Sequence, residues 1–287
     1  MQYQLFIRGF ILVGIIFFVL YELRLHSLSF SSLSFPLLSF GTCINCTKSM
    51  AESDGFICES DKIWNERKIL QRIQDELNMK KSPGSNYFLQ NEEPDFHCSH
   101  ARRIGRMGDG GKWICDLFRL QNRSDCIIYS AGSNGDFTFE IDAKKYLPNC
   151  EIHTFDFGKY SCPPNVCTYH QFRLADGKES NISKTWSMMI KELGHINRSI
   201  EVFKIDIEGG EFNFFPTIFQ APNTSYPRQI LVEIHPPNQQ ENHPEMHQFF
   251  ELLRAHNYVI FSKEPNIIMQ ASLFEYAFLR LNPQFFE

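Results

Sequence analysis

The chain is expected to fold as an open α/β sheet, mostly parallel, with helices on both faces. Three observations predict this. From residue 126 onward, short apolar runs alternate with helical patterns, the signature of a sheet wound by crossover helices. The run Val202-Phe203-Lys204-Ile205-Asp206-Ile207-Glu208-Gly209-Gly210-Glu211-Phe212 carries an apolar strand into a loop of carboxylates and glycines, after which a helical pattern resumes. A second run, Ile230-Leu231-Val232-Glu233-Ile234-His235, ends the same way. Open α/β sheets bind their ligands at the carboxyl ends of central strands.

The elements follow in order. The first strand spans about 126–130 and runs through a glycine-containing turn into a helix near 137–146. Strands follow near 151–155 and 168–174. A helix over 184–193 puts Trp186, Met189, Ile190 and Leu193 on one face, with Gly194 as its stop. Next come a strand over 200–205, a short helix from Glu211, a strand over 229–234 and a helix near 245–256. The last two strands, near 258–262 and 274–281, are joined by a short connection and read as an antiparallel pair. Upstream, 61–81 reads as a helix with Ile63, Leu70, Ile73 and Leu77 on one face. Ser60 or Asp61 caps it, Pro83-Gly84 stops it, and it is expected to pack beside the main domain.

At 287 residues and 43% hydrophobic, with 28 Phe, the chain can bury one sizeable core. Its net charge of −5 offers no basic face, so no nucleic-acid partner is expected. The uncharged apolar run 9–21 is short for a spanning helix and suits a signal-peptide core. Extended to 5–25, with Arg8, Glu22 and Arg24 near its ends, it makes a marginal span, and no Ala-x-Ala cleavage site follows. The reading favoured is an uncleaved signal anchor, and so a membrane partner, over 1–25. A stem and flanking helix occupy 26–96, and the main domain 97–287. Positive charge before the run places the bulk of the chain in the lumen of the ER or Golgi, or outside the cell if the leader is cleaved. Sequons at Asn45, Asn122, Asn181, Asn197 and Asn223 agree with a secretory glycoprotein. So do nine cysteines, all within the first 167 residues, for which Cys98 with Cys115 and Cys162 with Cys167 are the expected local bridges. Zinc held by Cys43-x-x-Cys46 is a rival reading, weakened by the lack of a second pair with matching spacing.

Several constellations could carry chemistry. After the first strand, Ser130-Ala131-Gly132-Ser133-Asn134-Gly135 holds Gly-x-x-Gly before a helix. The glycines allow close backbone approach, and the helix start offers free N–H groups; a plain strand-to-helix turn is the competing reading. Asp156 closes the next strand, 21 residues after Gly135, where nucleoside-binding folds hold two ribose hydroxyls on one carboxylate. Asp176, after the third strand, reads either as a contact for an adenine amino group or as a turn residue. Asp206 and Glu208 form the most telling pair, because carboxylates beside apolar strand residues are costly unless paired or used. With Glu233 and His235 they could take a divalent metal, orient a hydroxyl or accept a proton; Asp206 and Glu233 are the metal candidates, and His235 a general base. Arg106, Met107, Gly108, Asp109, Gly110, Gly111, Lys112 and Trp113 read as a hairpin turn or as a lid over the substrate.

Four segments carry a family resemblance: Gly108-Asp109-Gly110-Gly111-Lys112-Trp113-Ile114-Cys115, Ile128-Tyr129-Ser130-Ala131-Gly132, Lys204-Ile205-Asp206-Ile207-Glu208-Gly209, and Val232-Glu233-Ile234-His235. In this order over 97–282 the chain resembles class I S-adenosylmethionine-dependent methyltransferases, and most of all the animal methyltransferase-like group related to FkbM-type enzymes. The resemblance implies a Rossmann-like seven-stranded sheet with a C-terminal antiparallel hairpin. It implies S-adenosylmethionine as cofactor, with Gly132 and Gly135 along its amino-acid end and Asp156 on its ribose. Asp206 would stand near the methionyl group or the acceptor. The function expected is O-methylation of a glycan, lipid or small hydroxylated acceptor in the secretory lumen. The glycine motif is thinner than the family's, and Ser130 stands where an acid is common. A catalytically degenerate fold serving as a binding module is therefore the second reading. A metal-dependent transferase using a nucleotide sugar is the third.

Overall fold

The structure, a computed structural model, describes residues 45–82, 87–121, 123–178, 182–221, 226–240, 243–266 and 273–287. The candidate leader, residues 26–44 of the stem, Cys43, the Pro83-Gly84 stop and the sequons at Asn122, Asn181 and Asn223 lie outside these residues. Asn45 and Asn197 are exposed. Among the described residues no helix is long and apolar enough to cross a membrane.

The elements run α1 (Thr47–Glu52), α2 (Asp61–Asn78), α3 (Tyr87–Gln90), β1 (Arg102–Ile104), β2 (Lys112–Ile114) and α4 (Leu117–Gln121). They continue as β3 (Ile127–Ala131), α5 (Thr138–Tyr146), β4 (Glu151–Asp156), β5 (Thr168–Gln171), β6 (Arg173–Leu174) and β7 (Ser183–Lys184). Last come α6 (Trp186–Glu192), β8 (Ile200–Ile205), α7 (Glu211–Phe219), β9 (Gln229–Ile234), α8 (Pro244–Ala255), β10 (Tyr258–Pro265) and β11 (Phe274–Arg280). Seven strands form the main sheet in the order β10-β11-β9-β8-β3-β4-β5. β3, β4, β5, β8 and β9 are mutually parallel, and β11 runs antiparallel between β9 and β10. The expected mostly parallel sheet with its antiparallel C-terminal pair is thus observed. The single strand expected over 168–174 is instead two short strands, of which β6 pairs with β7 outside the main sheet.

Strand periodicity of two divides the core between the faces. Tyr129, Phe203, Ile205, Ile230, Val232 and Phe278 point to one side, where α6, α7 and α8 supply Trp186, Phe214, Phe215 and Phe249. Ile128, Val202, Leu231 and Leu279 point to the other, against Trp64, Phe139 and Phe285. Edge-to-face contacts such as Phe215 with Phe249, centroids 4.8 Å apart, show what the phenylalanine-rich composition is for.

Helix α2 forms where the periodicity predicts and is capped by the Ser60 hydroxyl, which accepts from the Ile63 amide. It packs by a different face. Trp64, Arg67, Gln71 and Asn78 are turned inward, while Ile63, Leu70, Ile73 and Leu77 are exposed. The indole of Trp64 fills space beside Phe96 and Phe285 and donates to Glu52, and Gln71 donates to Asp95. One large ring with satisfied polar neighbours outweighs four aliphatic side chains that meet no partner surface. Four disulfides are present: Cys46–Cys58, Cys98–Cys115, Cys126–Cys150 and Cys162–Cys167. Both expected bridges are among them, and the pairing of Cys46 with Cys58 sets aside the zinc reading of Cys43-x-x-Cys46.

Candidate active site

β3 lies between β4 and β8, so the order in which successive strands are laid down reverses between β3 and β8, and a crevice opens beyond their carboxyl ends. The turn after β3 is drawn hard against β8. Gly132 has φ +74°, and a Cβ there would stand 1.5 Å from the Asp206 carbonyl oxygen. Glycine is required at this point for β3 and β8 to close together. Gly135, also at positive φ, lies under the Tyr160 ring, 3.0 Å from where its Cβ would be.

The crevice is a cavity of about 640 Å³, within the usual size of a small-molecule site. Gly132, Asp156, Asp206, Glu208, Glu233 and His235 line it, together with Arg106 and Asp109 from the β1–β2 turn. The segment read as hairpin or lid is a hairpin: β1 and β2 pair antiparallel, and their turn lines the cavity. Asp176 is not among the lining residues; it is ion-paired to Lys178 at 2.7 Å beyond the end of β6. Gly135 is not among them either, since Tyr160 covers it.

Asp156 ends β4 with its carboxylate turned back onto the glycine turn. One oxygen accepts from the amides of Ser133 and Asn134, both at 2.8 Å, and the other from Gly158 at 2.8 Å. This fixes the turn; the Ser133 hydroxyl adds a 3.4 Å bond to the oxygen that the two amides use, so acceptor room for a ligand hydroxyl is left on the oxygen that faces Gly158.

Around Asp206 the structure assembles a buried charge network. Lys112, at the start of β2 and 2% exposed, donates to Glu275 at 2.5 Å and stands 3.7 Å from Asp206. Glu233 accepts from Asn266 at 2.7 Å. His235 faces Glu208 at 3.4 Å, Glu211 at 3.5 Å and Asp206 at 4.0 Å. Burial pushes Glu233 up to about 8, helped by the Asp206 and Glu275 charges. Burial alone would lower His235, but the Glu211, Asp206 and Glu233 carboxylates outweigh it and raise the ring to about 9. For Asp206 burial acts upward, and Lys112 and Lys204 overcome it to hold the group below its ordinary value. Asp206 is therefore held ionised beside Glu233 and His235, which retain protons near neutrality.

Sequence reasoning passed over Lys204, Asn266 and Tyr160. Lys204 is buried in β8, and its ammonium donates to the Gly132 carbonyl at 2.6 Å, closing the turn from the strand side. A lysine inside Val202-Phe203-Lys204-Ile205 is itself a signal, because strand lysines are seldom buried without a task. Asn266 and Tyr160 reach the site only through the fold and left no such signal. Among the described residues that line the cavity, two groups have the donors for a cation: Asp109, Asp206 and Glu233, and Asp206, Glu208 and His235, each offering ligand atoms within 4.8 Å of one another.

A family model described as a methyltransferase domain matches residues 48–280. The chain belongs to this methyltransferase family. The match begins at α1, so it takes in α1 and α2 as well as the sheet. Solved structures similar to the chain include the fibrillarin pre-rRNA processing protein of Methanococcus jannaschii, with 10% identity and a TM-score of 0.38 over 64% of this chain and 84% of that one. Another is precorrin-6y C5,15-methyltransferase from Geobacter metallireducens, with 10% identity and a TM-score of 0.33 over 57% and 84%. A third is Aeropyrum pernix fibrillarin with natively bound S-adenosyl-L-methionine, with 10% identity and a TM-score of 0.35 over 64% and 84%. No curated protein matches.

Proposed function

We propose that this methyltransferase uses S-adenosylmethionine to methylate an oxygen of a glycan, lipid or small hydroxylated acceptor in the secretory lumen. The observation that carries the reading is the convergence of Gly132, Asp156, Asp206, Glu233 and His235 on one cavity at the switch point of a methyltransferase-family sheet. S-adenosylmethionine, when bound, supplies an electrophilic methyl carbon on a sulfonium. The lining suits it: Asp156 keeps acceptor room on one carboxylate oxygen for a ribose hydroxyl, and an acidic lining suits the positive sulfur. Asp206 orients the acceptor hydroxyl. His235 and Glu233 manage the proton that leaves it, being the two groups whose protons are exchangeable within the working range of pH. Asp206 and Glu233, with Asp109 beside them, would hold a divalent cation; with it bound, Glu233 would be ionised, His235 would take the proton alone, and the cation would lower the acceptor's pKa. Four disulfides and the exposed sequon asparagines Asn45 and Asn197 support the lumenal address.

Isothermal titration of the full chain with S-adenosylmethionine tests the reading. Micromolar binding is expected, weakened by Asp156→Ala; a folded chain that binds none overturns it. A second reading, a binding module that has lost catalysis, is favoured by one specific observation: the Asp156 carboxylate already serves three amides of its own chain. That reading predicts no cofactor binding and an Asp156→Ala chain that keeps its cellular role.

A further inference from the structure

At the opposite end of β4 from Asp156 lies a second cluster, which the methyl-transfer reading does not use. Glu151 and His153 sit two residues apart on β4 and so share a face. His195, from the connection between α6 and β8, meets them there. One ligand atom from each of the three lies within 4.8 Å of the other two. The Nε2 atoms of His153 and His195 stand 3.8 Å and 3.9 Å from the same Glu151 oxygen. These separations are too long for hydrogen bonds. They are a few tenths of an ångström wider than ligands sharing one tetrahedral ion, whose mutual spacing follows from bonds of about 2.0–2.1 Å as ~3.4 Å.

The outer contacts favour the same assignment. His153 Nδ1 meets His170 Nε2 at 3.0 Å, and His195 Nδ1 meets the Tyr129 hydroxyl at 2.6 Å. With the proton on Nδ1 of each ring, both bonds are made, and both Nε2 lone pairs are left facing Glu151. This is how metal-binding histidines are oriented. Both histidine side chains are nearly buried, whereas Glu151 is half exposed and gives an ion its entry. Arg198 donates to both Glu151 oxygens, at 3.0 and 2.8 Å, which pins the carboxylate and leaves its remaining lone pairs free for a cation.

We propose that Glu151, His153 and His195 form a zinc site, with water as the fourth ligand. The ion clips the start of β4 to the α6–β8 connection. Two imidazoles and a carboxylate select zinc over magnesium or calcium, which prefer an all-oxygen shell.

The test uses the full chain, stripped with chelator, loaded with Zn²⁺ and freed of excess, with bound metal counted by mass spectrometry. About one zinc per chain is expected to persist in Asp206→Asn, where the cavity donors are weakened, and to be lost in His153→Ala and His195→Ala. His170→Gln should weaken zinc binding by about 10–100-fold, as for other partners that orient a ligating histidine. Glu151→Gln, half exposed and close in shape, keeps the test valid if a histidine variant fails to fold. X-ray absorption of the zinc-loaded Asp206→Asn chain should show imidazole nitrogens at about 2.0–2.1 Å. A chain that holds no zinc, or holds it undiminished in His153→Ala, His195→Ala and Glu151→Gln alike, overturns the proposal. So does a metal shell of oxygen alone.

Discussion

Gly132 and Lys112 show how much of the candidate site rests on single residues. A methyl group at Gly132 would collide with the Asp206 carbonyl oxygen and would also force an L-residue to positive φ. Gly132→Ala is expected to cost at least about 3 kcal/mol, combining overpacking with backbone strain, as measured by urea denaturation. Lys112 is the buried cation between Glu275 and Asp206. Lys112→Met removes it and leaves carboxylates buried without a partner. A loss of about 3–5 kcal/mol in the same assay is expected, with partial recovery in Lys112→Met combined with Glu275→Gln. The two residues differ in legibility. Gly132 stands out because a glycine after an apolar strand marks a close backbone approach. Lys112 in Gly111-Lys112-Trp113 looks like a surface lysine beside a turn, and only the folded hairpin buries it beneath β9 and β11.

At the scale of elements, α2 gives the clearest disagreement between pattern and packing. Its apolar stripe, Ile63, Leu70, Ile73 and Leu77, is exposed, and its packed face is built around Trp64. Leu70→Glu and Ile73→Lys should therefore each change stability by no more than about 0.5 kcal/mol. Trp64→Ala should cost about 3–5 kcal/mol, through the lost ring and its lost hydrogen bond to Glu52. A thermal-melt series over the three variants checks this; equal losses would show that the stripe, not the tryptophan, is the packed face. The central strands behaved otherwise. All six residues of β8 and all six of β9 are buried, so their apolar runs admit one reading. β6 left the main sheet because a strand at the edge is held by local pairing, here with β7, which no apolar run announces.

Across the whole molecule, titration of buried groups should set how stability depends on pH. Glu233 is raised to about 8, His235 to about 9 and Asp95, by burial, to about 7. Each holds its proton more tightly folded than unfolded. The stability each contributes is complete below its ordinary value and is lost as pH rises through the folded one. His153, depressed to about 4, acts oppositely, but only below its ordinary value near 6.5. Between about pH 6.5 and 8 Glu233 and His235 thus act together, and unfolding free energy should fall steadily with rising pH there, as read from urea midpoints. Glu233→Gln should flatten that slope, and a slope of the opposite sign would refute the assignment. By itself the amino-acid sequence determined the parallel sheet, its antiparallel end, two of the disulfides, and the strand-end acids Asp156, Asp206 and Glu233. These depend on apolar runs, short cysteine spacings and turn residues, which are local and therefore visible in one dimension. The tertiary structure alone paired Asp176 with Lys178 and set Lys112 between Glu275 and Asp206. It alone turned Asp156 onto its own glycine turn and gathered Glu151, His153 and His195. Those outcomes depend on which surfaces meet across the sheet, and burial and charge pairing between distant segments leave no periodicity in the chain.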